Sequence, residues 1–434
     1  MHVKELKIHN FRGIKDLHLV FNMERNVVVL VGINGVGKSS ILDCINFLVK
    51  YYAIIREAYL FDGESIVHRP ARLARLIPDF NEILSLSDIH NGENYTDSNV
   101  VIDCGDNTTE WRLIKFKDDN DYRSWEAVHD KLKEKIVRQH NLISIGNYFY
   151  YLSNRRVIDY AELISELNDF PPSAYLHEKI EIDEVINFKD FSKWFKETED
   201  LENEQRLSDD NQYRHPQLEA VRQTVYSLLG KGYTNLTFKR AIDKMTIKKL
   251  NREIAIELLS DGEKNLLAMV SDLSRKLAEN NKNLENPLEA SALVLIDEIE
   301  LHLHPAWQRM IIPRLTETFP NCQFIVTTHS PQVLSHVDPE CIHILDYDGD
   351  NVVVKRPDSS YGLDSNRILE DILGVSKRPQ EVQDRMSELF RTINNNDLES
   401  AKEIVKELGD KIGIAEPELV KAEATIKRRK IIGR

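Results

Sequence analysis

The segment Gly32-Ile33-Asn34-Gly35-Val36-Gly37-Lys38-Ser39 combines glycines, a lysine and a hydroxyl at the spacing that surrounds nucleotide phosphates. An apolar run at 27–31 precedes it and a helical apolar pattern follows it, as a phosphate loop between a strand and a helix requires. Glycines let backbone N–H groups turn toward phosphate oxygens, and the helix N-terminus adds its positive dipole end. We expect Lys38 to reach the β- and γ-phosphates of ATP and Ser39 to bind Mg²⁺. The remaining residues of this cradle are Gly32, Asn34, Gly35, Gly37 and Ser40.

A pair of carboxylates, Asp297 and Glu298, follows directly after the apolar run 292–296. A carboxylate at the end of such a strand can hold Mg²⁺ through water, and its neighbour can orient and activate the attacking water. Strands often end in acidic residues, so the pair is informative because a phosphate loop lies upstream. We expect Asp297 to take the metal role and Glu298 the catalytic role.

The motif 259–263, Leu-Ser-Asp-Gly-Glu, precedes an apolar helical pattern. Taken alone it predicts a helix N-cap, with Ser260 or Asp261 capping and Glu263 near the positive end. Because Asp297 and Glu298 follow within about 40 residues, it also reads as a second phosphate-binding helix start. One triphosphate already occupies the chain's own phosphate loop, so Ser260, Gly262 and Glu263 are expected to serve the nucleotide of a second copy.

Three histidines lie near the predicted strand ends. His329 follows the apolar run 324–326, beside the expected γ-phosphate, and we expect it to polarise that phosphate. His302 and His304 have i, i+2 spacing and no third ligand nearby, which favours a structural role over a metal site.

These residues require an α/β domain. The runs 27–31, 292–296 and 324–326 are typical of strands buried on both faces of a mostly parallel sheet with helices around it. Active groups then gather at the carboxyl ends of the strands. We expect four regions: an N-terminal ATPase lobe at 1–117, a mainly helical insertion at 118–229, a C-terminal ATPase lobe at 230–356 and a helical partner-binding region at 357–434.

The last region contains two apolar stripes at helical spacing, which predict a helical hairpin with Asp397 as N-cap and a basic end at 427–430. Asp348-Gly349 between two apolar runs predicts a β-hairpin turn. That turn argues against a metal-binding nuclease motif at 346–350, and too little chain follows for a nuclease domain.

Bulk properties restrict the class of protein. The chain has 434 residues, 41% of them hydrophobic, which predicts two or three structural units of an ordinary globular protein. No apolar run approaches a membrane span, and the start lacks the apolar segment of a signal peptide. Four widely spaced cysteines favour buried thiols in a reducing compartment, so we expect a cytoplasmic protein. The net charge of −14 argues against coating nucleic acid over the whole surface.

The ordered motifs resemble those of the ABC ATPases of the SMC/RecF type over about the first 345 residues. The opening 7–14, Lys-Ile-His-Asn-Phe-Arg-Gly-Ile, resembles the first strand of that family, which implies that Arg12 lies near the nucleotide. The resemblance also implies a head-to-tail homodimer with two ATP molecules at the interface. It makes 259–263 the signature motif acting on the second copy, 300–302 the D-loop and His329 the switch histidine.

A finer resemblance links most of the chain to the short bacterial ATPases of the PtuA type. Its motifs include 149–151 with Arg155, 191–195, 199–203, 304–309 and the tail from 361 onward. Such proteins occur in Septu and some retron antiphage systems beside an HNH nuclease, PtuB, which implies such a partner here. The SMC/RecF family carries a glutamine after the phosphate-loop helix. In this chain Ser87-Asp88-Ile89 occupies roughly that region, and we expect Asp88 to replace the glutamine as a Mg²⁺ ligand. This departure is compatible with slow hydrolysis.

Two functions remain open at this stage. The chain is either a nucleotide-dependent sensor and scaffold for a partner nuclease, or a RecF-like DNA-repair ATPase without one. A transporter subunit is not favoured by the opening strand or the basic tail. Three basic clusters could contact DNA phosphates or form solvated faces. They are Arg69, Arg72 and Arg75; Lys239, Arg240, Lys244, Lys248 and Lys249; and 427–430.

Overall fold

The computed structural model describes residues 1–62, 85–103, 108–117, 147–153, 188–208 and 212–432. The chain divides into two compact units, Met1–Ser365 and Asn366–Arg434. The described strands, in chain order, are β1 His2–Phe11, β2 Ile14–Val20, β3 Val27–Gly32, β4 Tyr95–Asp103, β5 Thr108–Phe116, β6 Asn147–Tyr151, β7 Tyr233–Lys239, β8 Lys244–Lys249, β9 Arg252–Ala255, β10 Ala292–Ile296, β11 Cys322–Thr327, β12 Ile342–Asp348 and β13 Asn351–Lys355. Within the described residues, no helix is long and apolar enough to cross a membrane.

The described α-helices alternate with the strands in the first unit and continue alone in the second. They are α1 Lys38–Asp62, α2 Phe188–Ser208, α3 Pro216–Leu229, α4 Asp261–Asn280, α5 Pro305–Gln308, α6 Ile311–Thr318, α7 Pro331–Leu334, α8 Ser365–Asp371, α9 Gln380–Asn394, α10 Leu398–Ile412 and α11 Pro417–Ile432.

A six-stranded sheet forms the centre of the first unit, in the order β13-β12-β3-β11-β10-β6. Its strands run parallel except β13, which forms an antiparallel hairpin with β12 across Gly349. Every residue of β10 and β11 is buried, as their continuous apolar runs predicted. The α/β fold is therefore confirmed, and the carboxyl ends of β3, β10 and β11 meet at one edge.

A second sheet covers the phosphate-loop helix. It is antiparallel, in the order β2-β1-β4-β5, and its buried face joins α1 and the central sheet in one apolar core. Trp111 on β5 donates from its indole nitrogen to the Leu48 carbonyl of α1 at 2.8 Å and stacks on Tyr52. Strand β1 lies inside this sheet, between β2 and β4. Arg12 follows β1 directly and therefore lies beside α1, where it contacts Asp43.

The region expected to be a helical insertion, 118–229, contains part of the ATPase sheet. Strand β6 pairs in parallel with β10, so that Tyr151 lies opposite Ile296. Helix α2 follows, and two buried ion pairs connect it to α3. Arg222 of α3 contacts Glu199 of α2 at 3.0 Å and Glu202 of α2 at 2.9 Å. The boundary expected at 356 also differs, because the first unit extends to Ser365. Within it, the Ser360 hydroxyl donates to the Val337 carbonyl at 2.6 Å.

The second unit has a core of its own, built by α9, α10 and α11. Helices α9 and α10 form the predicted hairpin, and Asp397 caps α10 by accepting from the Ser400 N–H at 3.2 Å. The basic end 427–430 was expected as a tail and instead lies on the third helix, α11, whose Leu419 and Ile426 enter the core.

Candidate nucleotide site

The phosphate loop adopts the cradle that its sequence predicts. Gly32 is required by close approach, because a β-carbon there would lie 2.4 Å from the Leu345 carbonyl oxygen. Gly35 and Gly37 have φ values of +83° and +102°, which glycine adopts without strain. Lys38 is buried and its ammonium group donates to the loop carbonyl of Gly32 at 3.0 Å. Burial lowers the pKa of Lys38, and the charges of the nearby carboxylates oppose that shift.

The metal-binding candidates meet at the same edge. The Ser39 hydroxyl lies 3.1 and 3.0 Å from the two carboxylate oxygens of Asp297. Thr327, at the end of β11, donates to Asp297 at 2.6 Å and accepts from the Glu298 N–H at 2.7 Å. Glu298 itself has a φ of +49°, a left-handed conformation often found at functional sites. A hydroxyl beside a carboxylate is the donor set that Mg²⁺ prefers, so these residues fit the ion.

His329 lies within the electrostatic reach of this cluster. Burial lowers its pKa, Lys38 lowers it further, and Glu300, Glu298 and Asp297 oppose the shift. Its backbone N–H donates to Glu300 at 2.6 Å, and the hydroxyl of Thr328 donates to the other oxygen of Glu300 at 2.7 Å. Glu300 belongs to the predicted D-loop segment 300–302, whereas Thr327 had no predicted role. Glu300 fixes the backbone that carries the histidine.

The signature motif begins helix α4. Ser260 is the N-cap and Glu263 completes a capping box, as the simpler interpretation predicted. Ser260 and Asp261 are exposed, whereas Glu263 is buried. Burial alone would raise the pKa of Glu263, but hydrogen bonds from Lys249, Tyr233 and Ser260 lower it to about 2. The start of α4 is thus exposed at Ser260 and Asp261, while Glu263 is buried and negatively charged.

Arg12 is held between two carboxylates. Its guanidinium donates to Asp88 at 2.7 Å and to Asp43 of α1. The other oxygen of Asp88 accepts from the backbone N–H and the hydroxyl of Ser85 at 2.8 and 3.0 Å. Both Asp88 oxygens are therefore engaged in a loop cap and an arginine pair. This geometry argues against the predicted Mg²⁺ role of Asp88 and gives it a structural one.

Strand β6 brings a segment to the site that the sequence analysis did not place there. The Asp297 N–H donates to the Tyr151 carbonyl at 2.8 Å, so the end of β6 lies beside the carboxylate pair. The Tyr150 hydroxyl donates to Asp43 of α1 at 2.6 Å, and the Tyr151 hydroxyl to Asp272 of α4 at 3.0 Å. One strand thus contacts both the phosphate-loop helix and the signature helix.

The basic clusters are partly neutralised. Lys239 pairs with Glu253 at 2.9 Å, Arg240 with Glu199 at 2.6 Å and Lys430 with Glu399 at 2.8 Å. The cluster at 69–75 lies outside the described residues, as does Arg155. His304 caps α5 through its ring nitrogen, as its predicted structural role allows. Among the residues that the structure describes, no group of three or more His, Cys, Asp or Glu is arranged to hold a metal.

A phosphate loop on a mostly parallel sheet, a carboxylate pair beside a serine and a second exposed helix start together define an ATPase of the ABC type in the SMC/RecF class. The chain belongs to the family described as "AAA domain, putative AbiEii toxin, Type IV TA system", whose profile matches residues 27–335.

Named relatives extend along nearly the whole chain. "Retron Ec83 probable ATPase" of Escherichia coli is 27% identical, with 99% of this chain and 87% of the relative covered. "Septu protein PtuA" of Bacillus thuringiensis is 25% identical, with 86% of this chain and 85% of the relative covered. Among solved structures, an SMC head bound to the C-terminal winged-helix domain of ScpA is 17% identical with a TM-score of 0.43, covering 82% of this chain and 98% of that one.

Proposed function

We propose that the chain binds and hydrolyses ATP with Mg²⁺, and that two copies pair head to tail so that each signature motif completes the other's site. The contact of Ser39 with Asp297 carries this proposal, because it joins the phosphate loop to the carboxylate pair. Lys38 holds the triphosphate, and Ser39 and Asp297 hold Mg²⁺, which supplies charge neutralisation at the phosphates. Glu298 orients and deprotonates the attacking water, and His329 contacts the γ-phosphate.

A second copy is needed because each chain has one phosphate loop for its own ATP and a separate helix start at Ser260. That helix start can receive only the nucleotide of another chain. A helix N-terminus favours an anion, and the chain's own triphosphate is already bound by Lys38 and the loop. The exposed start of α4 at Ser260 is therefore placed to receive the γ-phosphate of another chain.

The test compares Glu298→Gln with the wild type. The variant keeps the triphosphate ligands but lacks the carboxylate that activates water, so it should bind ATP, turn over poorly and accumulate dimers. Turnover and the molar mass in solution are measured with and without ATP. Lys38→Ala should fail to bind ATP, and Glu317→Gln, an exposed glutamate on α6, should behave as wild type. Wild-type turnover by Glu298→Gln would assign the base to another residue.

We further propose that the chain is the cytoplasmic ATPase of an antiphage defence complex, acting as a nucleotide-dependent sensor and scaffold for an HNH nuclease of the PtuB kind. The names of the retron and Septu relatives support the ATPase and defence parts of this assignment. The separate helical core of residues 366–434 offers a surface for such a partner and falls within the region 357–434 proposed to bind it. Free buried thiols at Cys44, Cys322 and Cys341 fit a reducing compartment.

The corresponding experiment purifies the tagged protein from its native operon and identifies co-eluting chains by mass spectrometry. A small HNH nuclease in fixed stoichiometry supports the defence role. A chain that elutes alone, as a dimer or higher oligomer, and binds DNA only with ATP would support the RecF-like repair function instead. DNA binding by the defence complex is expected to depend on the basic side chains that remain unneutralised, such as the exposed Lys244.

A further inference from the structure

Glu263 of the signature motif has two oxygens with different partners. One oxygen accepts from the backbone N–H of Ser260 at 2.8 Å, which together with the Glu263 N–H donating to the Ser260 hydroxyl oxygen forms the capping box. The same oxygen also accepts from the Ser260 hydroxyl at 2.7 Å. The other accepts from the ammonium of Lys249 at 2.5 Å and from the hydroxyl of Tyr233. The side chain of Glu263 is 4% exposed and that of Lys249 is 39% exposed. The second oxygen is thus held from outside the helix, by strands β7 and β8.

A helix cap does not require this second set of contacts. The capping box alone already provides the reciprocal hydrogen bonds at the start of α4. A buried carboxylate without a partner is costly, so Lys249 and Tyr233 make the buried position of Glu263 possible. Their contacts also fix the carboxylate that holds the backbone N–H and the hydroxyl of Ser260, and hence the position of Ser260 at the helix start.

Charge gives these contacts a further role. A triphosphate arriving at the helix start meets two carboxylates, Asp261 and Glu263, which would repel it. Lys264 pairs with Asp261 at 3.0 Å and Lys249 pairs with Glu263, so each negative charge is matched by a lysine. Without Lys249 the helix start would carry an unbalanced negative charge beside the Ser260 hydroxyl, which opposes the effect of the helix dipole.

We propose that Lys249 and Tyr233 are positioning residues for the nucleotide of a second copy: through Glu263 they hold Ser260 in place and neutralise the helix start that receives that copy's γ-phosphate. The inference rests on the proposed head-to-tail pair. It assigns Lys249 to the second copy's site, whereas the other lysine of the machinery, Lys38, serves the chain's own nucleotide.

A mixing experiment separates these two sites. Lys249→Met and Lys38→Ala should each hydrolyse ATP at least about tenfold more slowly than wild type. In a mixed pair, one site combines the intact phosphate loop of the Lys249→Met chain with the intact signature motif of the Lys38→Ala chain. An equal mixture should therefore recover up to about a quarter of the wild-type rate, since half of the pairs are mixed and each has one good site. If Lys249 acted on its own chain's nucleotide, neither site would be intact and no activity would return.

Control variants distinguish a failed inference from a failed dimer. Ser260→Arg mixed with Lys38→Ala should also recover activity, and no recovery in that mixture would contradict the proposed head-to-tail pair itself. Recovery there but not with Lys249→Met would overturn only the inference about Lys249. Lys231→Met, an exposed lysine just before β7, should keep the wild-type rate.

Folding is checked separately. Lys249→Met should bind a non-hydrolysable ATP analogue with wild-type affinity in the monomer, because its phosphate loop is unchanged. Lys249→Arg keeps the charge and the donors and should restore most of the turnover, whereas Tyr233→Phe removes one donor and should have a smaller effect than Lys249→Met. Loss of analogue binding by Lys249→Met would indicate that this variant misfolds, and Lys249→Arg would then be the decisive variant. If Lys249→Arg binds the analogue normally but turns over ATP as slowly as Lys249→Met, the proposal is contradicted.

Discussion

The carbonyl oxygen of His302 lies 2.3 Å from the point where a β-carbon on Gly262 would stand. His302 adopts a left-handed conformation with a φ of +63°, and its carbonyl lies against the signature helix. The start of α4 therefore packs against the backbone that follows the carboxylate pair. Only a few residues of backbone therefore separate Glu298 from the contact with the helix start.

The first prediction concerns this contact. Gly262→Ala should force the helix start and the 300–303 backbone apart, because a backbone carbonyl cannot rotate away as a side chain can. We expect a loss of about 1–3 kcal/mol in the free energy of unfolding and loss of ATP-dependent pairing, with nucleotide binding by the phosphate loop retained. Gly13→Ala, where a β-carbon meets nothing within 4 Å, is the control. Normal pairing by Gly262→Ala would show that the backbone yields at little cost.

The second prediction decides between two roles for Asp88. Asp88→Asn weakens the contacts with Arg12 and Ser85, so the unfolding free energy should fall by about 1–3 kcal/mol. The Mg²⁺ concentration that gives half-maximal ATPase activity should stay at the wild-type value. Asp297→Asn is the comparison, since it should raise that concentration. A higher Mg²⁺ requirement in Asp88→Asn would restore the metal role that the sequence suggested.

The third prediction concerns acid stability. His343 on β12 is 3% exposed and packs against Phe21, and burial followed by the charge of Arg356 lowers its pKa to about 4. An unfolded histidine titrates near 6.5, so below that pH the unfolded chain binds a proton that the folded chain does not. The free energy of unfolding should therefore decrease by up to about 3 kcal/mol between pH 6.5 and 4.

His343→Leu should remove that part of the pH dependence. Urea unfolding of the variant and the wild type at several pH values gives the free energy of unfolding of each. The contribution of His343 is the difference between the two slopes of that free energy against pH. The comparison with the variant is needed because carboxylate pairs elsewhere also weaken in acid. Identical slopes for His343→Leu and wild type between pH 6.5 and 4 would mean that the ring is protonated in the folded protein.

Local patterns in the sequence predicted much of this molecule. The phosphate loop, the strands that end at Ile296 and Thr327, and the hairpin turn at Gly349 each depend on a few consecutive residues whose conformations are strongly restricted. The stripes of α9 and α10 were equally informative, because apolar spacing alone identifies a packed helix face.

Pairings between distant segments could not be predicted in the same way. Strand β6 is a short aromatic run whose partner β10 lies far along the chain, and the pattern 147–151 does not indicate which sheet it joins. Arg12 meets Asp88 across 76 positions, and Lys249 reaches Glu263 only because of the register of β8. Thr327, which had no predicted role, and Glu300, whose contact with the His329 backbone was not predicted, act by holding other residues, which no spacing rule reveals.

The independent core of α9, α10 and α11 has a consequence for how the protein's stability can be described. A chain with two cores need not melt in one step, because each core can lose its packing cooperatively at its own temperature. ATP should raise the temperature at which the 1–365 unit unfolds and leave that of 366–434 unchanged, since ligands stabilise only the unit that binds them. A single melting temperature would then average two quantities, and hydrogen exchange resolved by segment would be needed to assign a partner's effect to the unit it binds.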